Sequence, residues 1–146
     1  RMSYFKKHPE WIILEVHLEL QRVVPKESNK LSKETIAERE KRHIQNVRAA
    51  GSYFVNPVAP ESVRELFEKE KQIQSREGRV PAGWLIEKAG KKGAKKGDAQ
   101  ASTQHPNYLV NTGKATSHEV RALAREIKTA VRDQFAVELQ EEAVIF

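Results

Sequence analysis

From residue 11 to residue 22 apolar and polar side chains alternate. Ile12, Leu14, Val16, Leu18 and Leu20 fall on one side, and Ile13, Glu15, His17, Glu19 and Gln21 on the other. A period of two is the pattern of a strand with one buried and one wetted face, so residues 11–22 are predicted as a strand. His17, between two glutamates on the wetter face, reads as a surface residue. Residues 23–30 carry Pro25, Ser28 and Asn29 and predict a loop. Ser32 is placed to cap a charged helix over 33–44, whose apolar face is thin: Ile36, Ala37 and Ile44.

The next pattern change comes at Gly51-Ser52-Tyr53-Phe54-Val55-Asn56-Pro57. Tyr53, Phe54 and Val55 favour a half-buried strand, Gly51 permits a sharp entry into it, and Pro57 ends its ability to pair. That places the Ser52 hydroxyl at a fixed point beside Asn56, a side chain that donates and accepts at once. Val63, Leu66, Phe67 and Ile73 then recur at helical spacing across residues 61–75, after Pro60. A second short helix is predicted over 82–89, with Trp84, Leu85 and Ala89 inward and Gly90 as its stop. Residues 98–102 and 108–111 read as two short strands joined by a turn holding His105-Pro106. Thr116 with Glu119 forms a capping box before Val120, Leu123, Ala124, Ile127, Val131 and Phe135, one face of a long helix over 117–135. Residues 137–146 predict a terminal strand in which Glu142 abuts Ala143-Val144-Ile145-Phe146. A carboxylate entering an apolar strand is costly unless paired, which marks Glu142 as a candidate for chemistry. The predicted order is β, α, β, α, α, β, β, α, β: an α+β fold with a mixed or antiparallel sheet and helices packed on one side.

Length and composition narrow the function classes. The 146 residues, 38% hydrophobic and 32% charged, are ordinary for one globular domain. With no cysteine, disulfides, thiolate catalysis and cysteine-built zinc sites are excluded, and no metal site is predicted. No apolar run approaches the roughly 20 residues that cross a bilayer, and the N-terminus lacks the apolar core of a signal peptide. The expectation is a cytoplasmic protein with no membrane partner. The chain begins at Arg1 and enters a strand pattern almost at once, which predicts a piece of a longer protein.

A net charge of +6 favours an anionic partner. Lys and Arg alternate with Glu over 33–42 and 65–79, the pattern of solvated helix faces. The one concentrated basic cluster, Lys91-Lys92-Gly93-Ala94-Lys95-Lys96-Gly97, lacks the GxxxxGK[ST] arrangement of a P-loop. It also lacks the interleaved aromatics that stack bases, so a basic nucleic-acid module is the lesser reading and no nucleic acid is expected. A noncatalytic scaffold of the same fold is the other alternative.

Six stretches together resemble the C-terminal substrate-binding domain of the UDP-N-acetylenolpyruvoylglucosamine reductase family. They are Arg1-x-Ser3-x-Phe5-Lys6, Ala50-Gly51-Ser52-Tyr53-Phe54-x-Asn56-Pro57, the run from Pro81 to Gly90, Gly97-x-Ala99-Gln100, the run from His105 to Asn111, and Val137-x-Leu139-x-x-Glu142. The resemblance implies a flavoenzyme of peptidoglycan precursor synthesis that uses FAD and NADPH, with UDP-N-acetylglucosamine enolpyruvate as substrate. It places Ser52 at the proton donor and Glu142 at a carboxylate near the enolpyruvyl group. Asn56, Lys92 and His105 fall at substrate-contacting positions, His105 standing where some members have glutamine. Met2 replaces a frequent aspartate and Val55 a common lysine, and the cation serving the substrate carboxylate is open among Lys41, Arg42 and Arg48. The resemblance also implies that the N-terminal FAD-binding domain lies outside this chain, so the chain alone is expected to be inactive.

Overall fold

Helix α5 (Ser117–Phe135) organises the larger part of the molecule, and its start is written in its first residues. The Thr116 hydroxyl accepts the Glu119 N–H at 3.2 Å while the Glu119 carboxylate accepts the Thr116 N–H at 2.7 Å. This reciprocal cap satisfies two of the N–H groups that a helix leaves without partners. Leu123, Ala124, Ile127, Val131 and Phe135 are buried along one face, as their spacing predicts. The structure, a computed structural model, describes residues 4–8, 10–42 and 47–143. It divides into two compact units, residues 1–39 and 40–146.

In the first unit, α1 (Tyr4–Lys7) is followed by residues 11–24, which form neither helix nor strand. This corrects the strand predicted over 11–22. A strand is made by its neighbours, and among the described residues none pairs with this stretch. Its apolar side chains stand in water, Leu14 at 93% and Leu20 at 81% exposure. Helix α2 (Pro25–Arg42) also differs from expectation, starting eight residues earlier than the predicted helix and leaving Ser32 in its interior. Pro25 supplies a preset φ at the first turn, the Val24 carbonyl accepts the N–H groups of Glu27 and Ser28 at 3.0 and 3.1 Å, and Glu27 complements the helix dipole. Ile44 lies outside the described residues.

The second unit contains α3 (Glu61–Lys71), α4 (Ala82–Lys88), β1 (Lys95–Lys96), β2 (Ala99–Ala101), β3 (Leu109–Asn111) and α5. The strands pair antiparallel in the order β1-β2-β3, with Lys96 opposite Ala99 and Ala101 opposite Leu109. Helix α5 packs on β1, β2 and α4, giving the α+β architecture expected. The core holds Phe54, Val80, Leu85, Ile86, Leu123, Ile127, Val131 and Leu139. Trp84 of α4 meets Phe67 of α3 edge-on, centroids 5.4 Å apart, and lies 6.0 Å from Phe135 of α5.

Two predicted strands dissolve into single bridges. Ser52 and Phe54 bridge Tyr108 and Glu141, and residues 137–143 make no strand of their own, although Val137 and Leu139 are buried and Glu138 and Gln140 exposed. Residues 144–146 lie outside the described residues. Helix α3 stops at Lys71, four residues short of its predicted end, because Gln72 turns left-handed at φ 54°; Leu66 and Ile73 stay exposed.

Candidate active site

Residues 52–56 are wedged between two pieces of chain distant in sequence. On one edge, the Tyr53 N–H donates to the Asn107 carbonyl at 2.7 Å, and Ser52 bridges Tyr108. On the other, the Glu142 N–H donates to the Tyr53 carbonyl at 2.8 Å, and the Val55 N–H donates to the Gln140 carbonyl at 2.9 Å. The backbone therefore sets Glu142 against the residue that follows Ser52. Both Ser52 and Glu142 are half-buried, which leaves each reachable from solvent.

Tyr53 and Glu141, the chain neighbours of Ser52 and Glu142, also meet through their side chains. The Tyr53 hydroxyl donates to Glu141 Oε2 at 3.3 Å. Burial, followed by the adjacent Glu141 charge, pushes the phenol above its ordinary value, so Tyr53 stays protonated and acts as a donor. Glu141 is also within 3.5 Å of Lys128 on α5.

Asn56 stands four residues beyond Ser52, where its Oδ1 accepts the Ala82 N–H at 3.0 Å and holds the start of α4. Its carbonyl accepts from Arg79 Nη1 at 2.8 Å. Asn56, Arg79, Glu138 and Gln140 border an open cavity of about 310 Å³. Arg79 was not singled out from the sequence. It lies in a charged turn, and only the fold brings it to Asn56.

His105 sits in the turn that abuts Ser52. Its N–H donates to Ser102 Oγ at 3.3 Å, its carbonyl accepts the Tyr108 N–H at 2.8 Å, and its ring meets that of Tyr108 edge-on at 4.7 Å. The basic loop is tied down by carboxylates. Lys92 Nζ donates to Glu87 Oε1 at 2.7 Å, while Lys91 and Lys96 each approach Glu126 within 2.9 Å. The loop joins the sheet where the Gly93 N–H donates to the Ala101 carbonyl at 3.0 Å. Two lysines on one carboxylate lower the Glu126 carboxyl from its ordinary value, the hydrogen bond from Lys91 first and that from Lys96 second.

Of the five residues picked from sequence, the fold gathers Ser52, Glu142 and the His105 turn around residues 52–54, sets Asn56 on a neighbouring cavity, and leaves Lys92 exposed on its own loop. Of the candidate cations, Arg48 donates to the Gly113 carbonyl at 3.2 Å and borders a second cavity of about 560 Å³ with Asn111 and Lys114. The side chains of Lys41 and Arg42 lie outside what the structure describes. Among the described residues, no three of His, Asp or Glu group as a metal site would require, and no helix is long and apolar enough to cross a membrane.

Comparison with known proteins gives one consistent result. A protein named UDP-N-acetylenolpyruvoylglucosamine reductase from Solibacter usitatus is 32% identical over 142 residues, which is 97% of this chain and 46% of that protein. One of the same name from Pseudomonas aeruginosa is 34% identical across all of this chain and 51% of its own length. The chain thus spans about half the length of these relatives. The crystal structure of UDP-N-acetylenolpyruvylglucosamine reductase from Thermus caldophilus superposes with a TM-score of 0.53 at 28% identity, over 85% of this chain and 37% of the other. Residues 42–146 match the family described as UDP-N-acetylenolpyruvoylglucosamine reductase, C-terminal domain, and the chain belongs to that family.

Proposed function

We propose that this chain is the substrate-binding and proton-donating part of an enzyme that reduces UDP-N-acetylglucosamine enolpyruvate to UDP-N-acetylmuramate, a step in building peptidoglycan precursors. The observation that carries this reading is the 2.8 Å bond from the Glu142 N–H to the Tyr53 carbonyl, which sets the two candidate catalytic residues on neighbouring backbones, both half-buried.

The chemistry asks little of Ser52. Hydride added at C3 of the enolpyruvyl double bond leaves a carbanion at C2 that is strongly basic, so a neutral hydroxyl is acid enough to quench it. Glu142 serves the same region as a carboxylate near the enolpyruvyl group. The cavity beside Asn56 offers the anionic nucleotide a guanidinium and side-chain amide donors, which act against the Glu138 carboxylate that also borders it. Lys92 reaches the substrate by leaving Glu87, an exposed pair of the kind worth about 0.2–1 kcal/mol.

The linings of the two cavities described above hold no aromatic ring against which a flavin could stack. FAD, reduced by NADPH, supplies the hydride when bound to the N-terminal domain of the whole enzyme, which is this chain's expected partner. On this reading the chain alone does not turn over, and the enzyme works in the cytoplasm.

The test is Ser52→Ala in the full-length enzyme, followed by separate measurement of the two half-reactions. Flavin reduction by NADPH stays intact, while flavin reoxidation by substrate slows by about 10²–10⁴-fold, the usual contribution of a positioned acid. Equal losses in both halves would remove Ser52 from the role.

A further inference from the structure

Asn107 lies in the turn between β2 and β3 and is 2% exposed. Its carboxamide treats Phe54 as a strand neighbour would: Oδ1 accepts the Phe54 N–H at 2.9 Å and Nδ2 donates to the Phe54 carbonyl at 2.9 Å. Its own carbonyl accepts the Tyr53 N–H at 2.7 Å. Three of the four backbone groups of Tyr53 and Phe54 are thus held by one residue, while the C-terminal segment holds the fourth, the Tyr53 carbonyl, and the Val55 N–H from the opposite edge. With bonds on both edges, the peptide entering Tyr53 is restrained through its N–H, so the Ser52 hydroxyl moves chiefly by its own side-chain torsion. Only a side-chain amide of this length can accept from one backbone group and donate to the other; aspartate lacks the donor and serine the second atom.

We propose that Asn107 is a positioning residue for proton delivery, acting through the backbone of residues 53–54 to aim the Ser52 hydroxyl. The proposal rests on the reading of Ser52 as proton donor.

Three measurements test it. In the unaltered full-length enzyme, the Phe54 amide is slow to exchange with deuterium although it lies outside any regular strand; exchange at the rate of an open loop overturns the proposal. In Asn107→Asp and Asn107→Ala, flavin reduction by NADPH stays within twofold of the parent. Flavin reoxidation by substrate falls at least tenfold, and its solvent deuterium isotope effect rises because proton delivery has become limiting. A parental reoxidation rate and isotope effect overturn the proposal. Asn107→Asp keeps the acceptor for the Phe54 N–H and serves where Asn107→Ala does not fold; if neither folds, the exchange measurement decides.

In the third, Asn107→Asp is added to Ser52→Ala and slows reoxidation less than twofold further, because a residue that works through Ser52 has nothing left to position. Full additivity overturns the proposal. If Ser52→Ala alone leaves reoxidation at the parental rate, the proton-donor reading fails first. If Ser52→Ala slows it and Asn107 substitutions do not, this inference fails by itself.

Discussion

Gly97 and Glu119 meet where the turn between β1 and β2 faces the N-terminus of α5, and the contact leaves no room for a side chain. A Cβ on Gly97 would fall inside the Glu119 carboxylate, and Gly97 also has φ +54°, where a side chain is strained. Gly97→Ala therefore drives Glu119 off Thr116, opening the capping box at the same time. Loss of the cap together with left-handed strain costs about 2 kcal/mol. Urea denaturation checks this, and the same substitution placed on Glu119→Ala should cost clearly less.

Glu126 gives the fold an acid-sensitive joint. Its carboxyl is depressed by hydrogen bonds from Lys91 and then Lys96. A depressed carboxylate stabilises the native state fully above its unfolded pKa of about 4.3, and that contribution disappears as pH falls through the lower folded value. Glu126→Gln should cost about 1 kcal/mol at pH 7, two partly exposed pairs being lost. Its stability should fall less steeply than the parent's below about pH 4.3. Thermal melts over a pH series measure both, and parallel curves would refute the assignment.

Ala136 ends α5 in the left-handed region at φ 52°. Glycine adopts this conformation without the Cβ penalty, although it also widens the unfolded ensemble. The first effect is the larger, so Ala136→Gly is expected to stabilise by about 0.5–1 kcal/mol, read as a higher urea midpoint at unchanged slope.

Asn56 has a structural and a proposed functional duty that one atom separates. Asn56→Asp keeps an oxygen for the Ala82 N–H, whereas Asn56→Ala does not and should cost about 1 kcal/mol. In the full-length enzyme, Asn56→Asp adds a negative charge beside the cavity assigned to the nucleotide. KM for the substrate should rise at least tenfold with the melting temperature little changed; an unchanged KM would take Asn56 out of substrate binding.

The parts of the fold legible in the sequence are those whose signals are local. Thr116, Glu119 and the apolar period after them gave α5 its bounds, and Gly90, at φ +68°, follows the end of α4 as its position predicts. Residues 11–22 carry an equally clear local pattern, yet pairing is a tertiary fact, and among the described residues no neighbour completes it. β1 was hidden for the opposite reason: Lys95 and Lys96 look like a solvated loop and become a strand only because β2 lies alongside. At the candidate site, Glu142 was visible as a carboxylate entering an apolar run, and Ser52 and Asn56 as members of the stretch 51–57 that carries part of the family resemblance. Asn107 and Arg79 were not, since what sets them apart is a contact with Phe54 and a contact with Asn56.

The bare alternation of residues 11–22 also governs how the chain behaves in a test tube. Ile12, Leu14, Val16, Leu18 and Leu20 stand in water, each at least 65% exposed, on backbone that no strand pairs with among the described residues. Such a stretch is a template on which identical copies can stack. The 146-residue chain should therefore turn cloudy as its concentration rises, and replacing Leu14 and Leu18 with lysine should keep it clear.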